Sequence, residues 1–241
     1  DRCVQAVYRP YIASGYKGDA PTLTNLQAEI KRQPEPEAQE LALAAELFIS
    51  GSLSIFAQKT NVDQNNRLTS YNILDLGEQL LPMGMLVILE SIYNRVIQNW
   101  RAGRRTWVFV DEFSIFFRYP FATNFFLRMW KQVRKRAGYM TGITQNVGEM
   151  LTSKDACWML ANSEFLIMLS QSASDRAALA ELLNISDTQL SYVENADPGC
   201  GLMKFGGAFI PFVNSFPEDT ELYKLMTTKP ADREQVKPHG V

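Results

Sequence analysis

The stretch TWVFVDE at residues 106–112 decides the fold. Its first five residues form a continuous apolar, β-rich run, which is typical of a strand buried on both faces in a parallel sheet. Two adjacent carboxylates, Asp111 and Glu112, follow at the carboxyl end. Because ligands of open α/β sheets bind there, we expect any chemistry at this point. A strand that ends in a solvated acidic loop is the alternative explanation of the stretch taken alone.

A strand followed by Asp-Glu matches the way P-loop NTPases hold nucleotides. The aspartate at this position holds the Mg²⁺ shell near the phosphates, and a neighbouring glutamate can orient and polarise the attacking water. We therefore predict that Asp111 binds Mg²⁺ through water and that Glu112 is the catalytic group acting on that water.

A second polar strand end follows along the chain at Thr144-Gln145. A glutamine at the tip of a neighbouring strand can reach both the γ-phosphate and the water. We predict that Thr144 and Gln145 contact the nucleotide and that Gln145 takes part in catalysis. The alternative is a polar turn from strand to helix, capped by Asn146.

The residues around these two ends predict alternating strands and helices, and hence βαβ units and a mostly parallel sheet. Gly206-Gly207 predicts a hairpin turn between the last two strands. Strands are expected at Arg67–Leu74, Thr106–Val110, Met140–Thr144, Glu164–Leu169, Leu202–Phe205 and Ala208–Val213, and helices at Leu81–Trp100, Ala122–Arg136, Val147–Leu160, Asp175–Leu183 and Asp187–Val193.

Residues 1–60 differ, because they carry helical patterns and no strand pattern. Helices are expected at Arg2–Ala13, from about Pro21 onward, and at Pro36–Phe48. These residues therefore predict an all-helical subdomain.

Composition excludes several classes of function. The chain has 241 residues, of which 46% are hydrophobic, and a formal net charge of −2, so we expect a large core and no globally basic nucleic-acid binder. Its single histidine, His239, near the C-terminus, argues against histidine-based catalysis and most histidine-ligated metal sites. The three cysteines lack CxxC spacing, which argues against structural zinc and a disulfide scaffold. The longest apolar run, Met83–Ile92, is shorter than a membrane helix.

Charge is unevenly distributed. Residues 95–136 carry ten basic and two acidic side chains, whereas residues 149–241 carry thirteen acidic and seven basic ones. This asymmetry predicts either complementary contacts between subunits or a surface that faces a polyanion. Arg134, Arg136 and Arg176 are candidates for a positive charge supplied to a neighbour's phosphates, and Arg104 and Arg105 for contacts with nucleic acid. Solvated helix faces and surface ion pairs explain the same residues.

The ordered set of Asp111-Glu112, the basic helix, Thr144-Gln145 and MLANSEFLIMLSQSASDRAALAELLNI at 159–185 resembles the conjugal-transfer ATPases of type IV secretion systems. These belong to the FtsK–HerA group of RecA-like motors. The resemblance implies an α/β RecA-like P-loop NTPase core with an all-helical insertion and a C-terminal β-hairpin. It divides the chain into the insertion at 1–60, the ATPase core at 61–230 and a tail at 231–241. Asp111-Glu112 correspond to the Walker B pair and Gln145 to the glutamine motif.

The resemblance also implies cofactors, location and partners. ATP and Mg²⁺ would be bound, and the motor would act as a hexamer with other secretion subunits at the cytoplasmic face of the membrane. No G-x-x-x-x-G-K-[ST] motif occurs in the 241 residues. We therefore expect a piece of a longer protein, with its Walker A loop upstream and no hydrolysis by the piece alone. A non-hydrolysing docking module and a DNA-translocating motor remain the alternatives.

Overall fold

The computed structural model describes residues 1–51, 53–59, 66–73, 76–145 and 147–227. The chain divides into two units, residues 1–84 and residues 85–241. The boundaries predicted at residues 60 and 230 stay predictions. His239, the tail at 231–241 and Asn146 lie outside the described residues.

The described residues of the first unit form α1 (Arg2–Ala13), α2 (Leu23–Lys31), α3 (Pro36–Ile49), a 3₁₀ turn (Ser54–Ala57) and the start of a fourth α-helix at Gly77, and they form no strand. These helices confirm the helical prediction for this part of the chain. Thr22 begins α2, where its backbone N–H donates to Asn25 Oδ1 at 2.9 Å, as in a capping box.

The strand predicted at Arg67–Leu74 is wrong for residues 67–73, which form no strand, and Leu74 lies outside the described residues. The side chain of Leu68 is 90% exposed. Strand preference is largely a preference for packing against neighbouring strands. An alternating pattern without such a neighbour therefore does not form a strand.

Helix α4 (Gly77–Arg101) is longer than predicted at both ends. Met85, Leu89 and Val96 are buried along one side, whereas Leu86 and Val87 are about half exposed. By length and composition alone, α4 could cross a membrane, although the core helices of water-soluble proteins pass the same test. The sequence analysis judged only the apolar run Met83–Ile92, which is shorter than the whole helix.

A short parallel sheet forms the base of the candidate site. Strands β1 (Thr106–Val110) and β2 (Gly138–Gly142) pair in parallel, with Thr106 opposite Gly138 and Val110 opposite Gly142. They are joined by a 3₁₀ turn (Phe113–Arg118), helix α5 (Pro120–Gln132) and a second 3₁₀ turn (Val133–Arg136). The bounds predicted for β1 are confirmed, but its expected burial on both faces is wrong, because Trp107 and Phe109 are 55% and 67% exposed while Val108 and Val110 are buried. β2 begins and ends two residues earlier than predicted.

The remaining strands correct the prediction of a mostly parallel sheet. Strand β3 (Phe165–Met168) is antiparallel to β4 (Cys200–Phe205), which pairs antiparallel with β5 (Ala208–Val213). Only β1 and β2 are parallel among the described strands, so the fold is mixed α/β with a short parallel sheet. An apolar run indicates burial but not the direction of the neighbouring strand, which is why the sequence misled here.

The predicted hairpin between β4 and β5 is confirmed, with Gly206 at φ +56° in its turn. One predicted helix at Val147–Leu160 is two helices, α6 (Val147–Leu151) and α7 (Lys154–Ala161), because Ser153 Oγ accepts the N–H of Ala156 and caps α7. The other helices are α8 (Ala173–Leu183), α9 (Asp187–Leu190) and α10 (Glu221–Met226), the last of which was not predicted.

Candidate functional site

The carboxyl ends of β1 and β2 stay paired for one residue beyond the strands. The N–H of Ile143 donates to Val110 O at 2.8 Å, and the N–H of Phe113 donates to Ile143 O at 2.8 Å. These two bonds hold the segment that carries Asp111 and Glu112 against the segment that carries Thr144 and Gln145.

The side chains of Glu112 and Gln145 meet at this edge. Gln145 Nε2 donates to Glu112 Oε1 at 3.3 Å, although the two residues are 33 positions apart in sequence. Glu112 is half-buried and Gln145 is exposed. The structure therefore brings together Glu112 and Gln145, which the sequence assigned to one site, while Asp111 contacts the backbone N–H of Glu112. Thr144 is half-buried beside Gln145.

Glu112 has an unusual backbone conformation, with φ +47° and ψ +47°. The left-handed region costs a residue with a Cβ about 1–2 kcal/mol, and such strain is concentrated at functional sites. The turn is held on one side by Asp111 Oδ1, which accepts the Glu112 N–H at 3.0 Å.

The residue after Glu112 anchors the turn in the core. The side chain of Phe113 is 2% exposed, and its ring centre lies 4.9 Å from that of Phe126 and 5.5 Å from that of Trp130. A Cβ on Gly142, the last residue of β2, would overlap the Phe113 ring. Burial of Phe113 against a glycine therefore fixes the position of Glu112 relative to β2.

An ion pair that the sequence analysis missed also joins the residues that follow β1 to the residues that follow β2. The Nε and Nη2 atoms of Arg118 each lie 2.7 Å from Glu149 Oε1. Arg118 ends the turn after Glu112, and Glu149 lies in α6, four residues after Gln145. Arg118 follows the end of β1 and Glu149 follows the end of β2. Their opposite charges at these two positions are the signal by which the sequence could have suggested the pair.

Arg134 and Arg136 lie at the opposite edge of the sheet from Glu112 and Gln145. They precede β2, where Ala137 O accepts the N–H of Thr106 at the start of β1 at 3.1 Å. Since β2 has five residues, this edge is about 16 Å from the carboxyl ends. Arg104 and Arg105 lie at the same edge, before β1. The structure thus separates these four arginines from the acidic pair of their own chain, and action on a neighbour stays a prediction.

Arg176 is held by its own chain. Its Nη2 donates to Glu194 Oε1 at 2.7 Å and its Nη1 to Gln171 O at 3.3 Å, while its side chain is 18% exposed. These bonds tie the start of α8 to the residue after the 191–193 turn. They explain Arg176 structurally, and its role toward a neighbour's phosphates stays a prediction.

The carboxylates of Asp111 and Glu112 suit a nucleotide-bound Mg²⁺ better than a metal held by protein side chains alone. No group of three His, Cys, Asp or Glu side chains that could hold a metal occurs in the described part of the chain. Nucleotide-bound Mg²⁺ usually needs only one or two carboxylates, with phosphates and waters supplying the other ligands. Asp111 is exposed and uses Oδ1 for the Glu112 N–H, whereas its Oδ2 has no partner among the residues that the structure describes and could meet a water of that shell.

Comparison with known proteins supports the fold. The structure is similar to that of VirB4 of Thermoanaerobacter pseudethanolicus, with a TM-score of 0.72 and 23% sequence identity. The match covers 90% of this chain and 63% of that chain, so this chain spans less than two thirds of its neighbour's length. No protein-family model and no curated protein sequence matches the chain. The chain therefore has a VirB4-like mixed α/β fold.

Proposed function

We propose that this chain is part of the motor ATPase of a type IV secretion system and that β1 and β2 belong to a RecA-like core. Two findings support the proposal. The fold is similar to that of VirB4, a type IV secretion ATPase. The acidic pair and the glutamine of the sequence motifs also lie at one edge of a parallel sheet.

The hydrogen bond between Gln145 Nε2 and Glu112 Oε1 is the observation that carries the proposal. It places a proton acceptor and an amide donor side by side. In the proposed site, Glu112 accepts the proton of the attacking water, while Gln145 orients that water and senses the γ-phosphate. The left-handed turn at Glu112 and the burial of Phe113 keep the carboxylate in place before substrate binds.

Asp111 would hold Mg²⁺ through a water, and Thr144 and Gln145 would face the phosphates. When bound, ATP and Mg²⁺ supply the reacting phosphoryl group and the neutralisation of its charge. The free Oδ2 of Asp111 and the exposure of Gln145 leave these polar atoms available for that contact.

The test is ATP turnover with Mg²⁺ by the whole natural protein that contains this chain. We expect Glu112→Gln to lower kcat by about 10²–10⁴-fold, because an amide keeps the shape of the side chain but cannot accept the proton. The matched control is Glu181→Gln, the same change at an exposed position of α8, which should leave kcat unchanged.

Turnover by Glu112→Gln equal to that of the unaltered protein would remove Glu112 from the mechanism. A whole protein that neither binds nor hydrolyses ATP would favour the second candidate, a non-hydrolysing docking module. The lack of a G-x-x-x-x-G-K-[ST] motif in the 241 residues is the observation that favours this second candidate.

We extend the proposal to assembly and location on the strength of the VirB4-like fold. The motor is proposed to act as a hexamer at the cytoplasmic face of the membrane, together with other secretion subunits, in pilus assembly or substrate transfer. In such a ring, Arg134, Arg136 or Arg176 of one subunit would meet the phosphates bound by its neighbour.

A further inference from the structure

A cavity of about 450 Å³ lies between helices α4 and α5 in the second unit. Its lining residues recur at helical spacing, so each helix gives one stripe of side chains to the cavity. None of these residues is assigned to the proposed ATPase site. We call the cavity the α4–α5 groove, and its lining comprises Leu86, Leu89 and Glu90 of α4 and Phe121, Asn124, Phe125 and Arg128 of α5.

The floor of the α4–α5 groove is apolar, and one of its walls is open to solvent. Leu89 and Phe125 are 3% and 7% exposed, whereas Leu86 is 53% exposed and Phe121 is half-buried. An exposed leucine beside buried apolar side chains enlarges the apolar surface that faces water. Contiguous apolar surface of this kind, bordered by polar residues, is typical of a site for another protein.

Two opposite charges, one on each helix, border this apolar floor. Glu90 and Arg128 form no ion pair with each other or with another side chain in the described ranges. Glu90 Oε1 accepts a hydrogen bond of 3.5 Å from Asn94 Nδ2. The guanidinium carbon of Arg128 lies 5.2 Å from the ring centre of Tyr93 and 5.9 Å from that of Phe125. Contact with the rings holds the guanidinium at the groove, where its charge is not neutralised by a carboxylate.

We propose that the α4–α5 groove binds an amphipathic helix of another protein. The apolar side chains of this helix cover the floor, an acidic side chain lies beside Arg128, and a basic one lies beside Glu90. Grooves lined by helices bind a partner helix through apolar side chains at i, i+3, i+4 and i+7. An extended peptide would find no strand edge here, because all the lining residues lie on helices.

The opposite charges distinguish a polypeptide from other apolar ligands. A lipid chain would cover the floor but leave both charges without partners, whereas a helix can carry an acidic and a basic side chain beside one apolar stripe. The proposal goes beyond the ATPase proposal and does not depend on it, since the two use different residues.

The test is the binding of a fluorescein-labelled peptide to the full chain, followed by anisotropy. The probe is an alanine-based peptide of about 16 residues, which is long enough to form a helix in water. It carries leucines at i, i+3, i+4 and i+7, flanked by one glutamate and one lysine. We expect saturable binding of this probe. A scrambled peptide of the same composition, whose leucines do not share a face, should bind at least about tenfold more weakly.

The apolar floor is tested at Leu86. Leu86→Gln should weaken binding of the probe about tenfold, because the polar side chain leaves the leucines of the probe without an apolar partner. Val87→Gln is the matched control and should bind the probe normally, since Val87 is 52% exposed on the same helix but does not line the groove. Phe125 is kept, because its ring packs on Phe126, which supports the turn at Glu112. Circular dichroism checks that each variant is folded.

The two charges are tested with a neutral peptide, in which glutamine replaces the glutamate and the lysine of the probe. The charged probe should bind about threefold more tightly than the neutral peptide at about 50 mM salt. This difference should vanish in Arg128→Gln with Glu90→Gln. The control is Arg101→Gln with Glu181→Gln, the same changes at exposed positions outside the groove, which should leave the difference intact.

Four results would overturn the proposal: no binding of the probe, equal binding of the scrambled peptide, equal losses from Leu86→Gln and Val87→Gln, or equal affinity for the charged and neutral peptides. A dimer of the full chain that Leu86→Gln dissociates in analytical ultracentrifugation would also overturn it, because it would assign the groove to a second copy. Glu112→Gln should bind the probe normally, so this test and that of the ATPase can fail separately.

Discussion

Glu112 and Ala137 share a left-handed backbone, with φ +47° and φ +51°, although neither is a glycine. Glu112 lies near the start of the connection from β1 to β2, and Ala137 is its last residue. At Glu112 the proposed catalytic role would account for the cost of this conformation. Ala137 has no polar side chain, so its strain has no functional counterpart.

The residue scale therefore gives a stability prediction. Ala137→Gly should raise the free energy of unfolding by about 0.5–1 kcal/mol, because relief of Cβ strain exceeds the added entropy of the unfolded chain. Urea unfolding followed by circular dichroism measures it. Ala177→Gly, an exposed position inside α8, is the control and should lower stability by about 1 kcal/mol. A loss of stability in Ala137→Gly would show that strain at this position is negligible.

Sequence reasoning could place Asp111 and Glu112 because they follow the apolar run Trp107–Val110, and Gln145 because it lies just past the next predicted strand. It could not foresee the left-handed turn at Glu112, which leads directly into the buried Phe113, because a residue other than glycine gives no local signal for that conformation. Arg134 and Arg136 were expected to supply charge to a neighbour's phosphates because they lead into the strand that precedes Gln145. An extended strand of five residues separates them in space.

At the scale of elements, the Arg118–Glu149 ion pair links the turn after β1 with helix α6. The two side chains are 62% and 31% exposed, so solvent screens much of their attraction. A double-mutant cycle with Arg118→Ala and Glu149→Ala should give a coupling energy of about 0.5–1 kcal/mol at low salt.

That coupling should largely disappear at about 1 M salt, where the Debye length is close to the contact distance. Urea unfolding of the two single variants and the double variant at both salt concentrations measures it. Additive effects of the two substitutions at low salt would mean that the pair contributes no attraction. The cycle formed by Arg118→Ala and Glu181→Ala is the control, because Glu181 lies in α8 and forms no ion pair among the described residues.

Element types were more predictable than their partners. The helices of the first unit, strand β1 and the β4–β5 hairpin follow from apolar periodicity and the Gly206-Gly207 turn. The direction of β3 did not follow, because the pattern of Phe165–Met168 is compatible with either kind of neighbour. Strand pairing depends on contacts between distant parts of the chain. The residue pattern of one strand carries no information about those contacts.

At the scale of the whole molecule, opposite charges nearly cancel while apolar side chains remain on the surface. The chain has 24 basic and 26 acidic side chains and a sequence isoelectric point of about 5.6. Phe109, Phe165, Ile167 and Val213 are each more than half exposed on their strands. The formal net charge of −2 gives only weak electrostatic repulsion against association through these strands.

We expect the turbidity of a low-salt solution to be greatest near pH 5.6, because molecules without net charge no longer repel each other. Light scattering across the range from about pH 4.5 to 8 measures it. Arg104→Gln with Arg105→Gln should move the maximum to lower pH, since it removes two positive charges. A maximum that stays in place in this variant, or scattering that does not vary with pH, would contradict the explanation.

The register of β1 and β2 has a consequence for how relatives of this chain can differ in length. An inserted or deleted residue within either strand would turn Glu112 away from Gln145 and, in the same step, part Trp107 from Tyr139, because side chains alternate along a strand. A length change inside α5 would likewise move Phe126 or Trp130 off Phe113 and release the turn that holds Glu112. Gaps in the sequences of relatives should therefore spare the two strands.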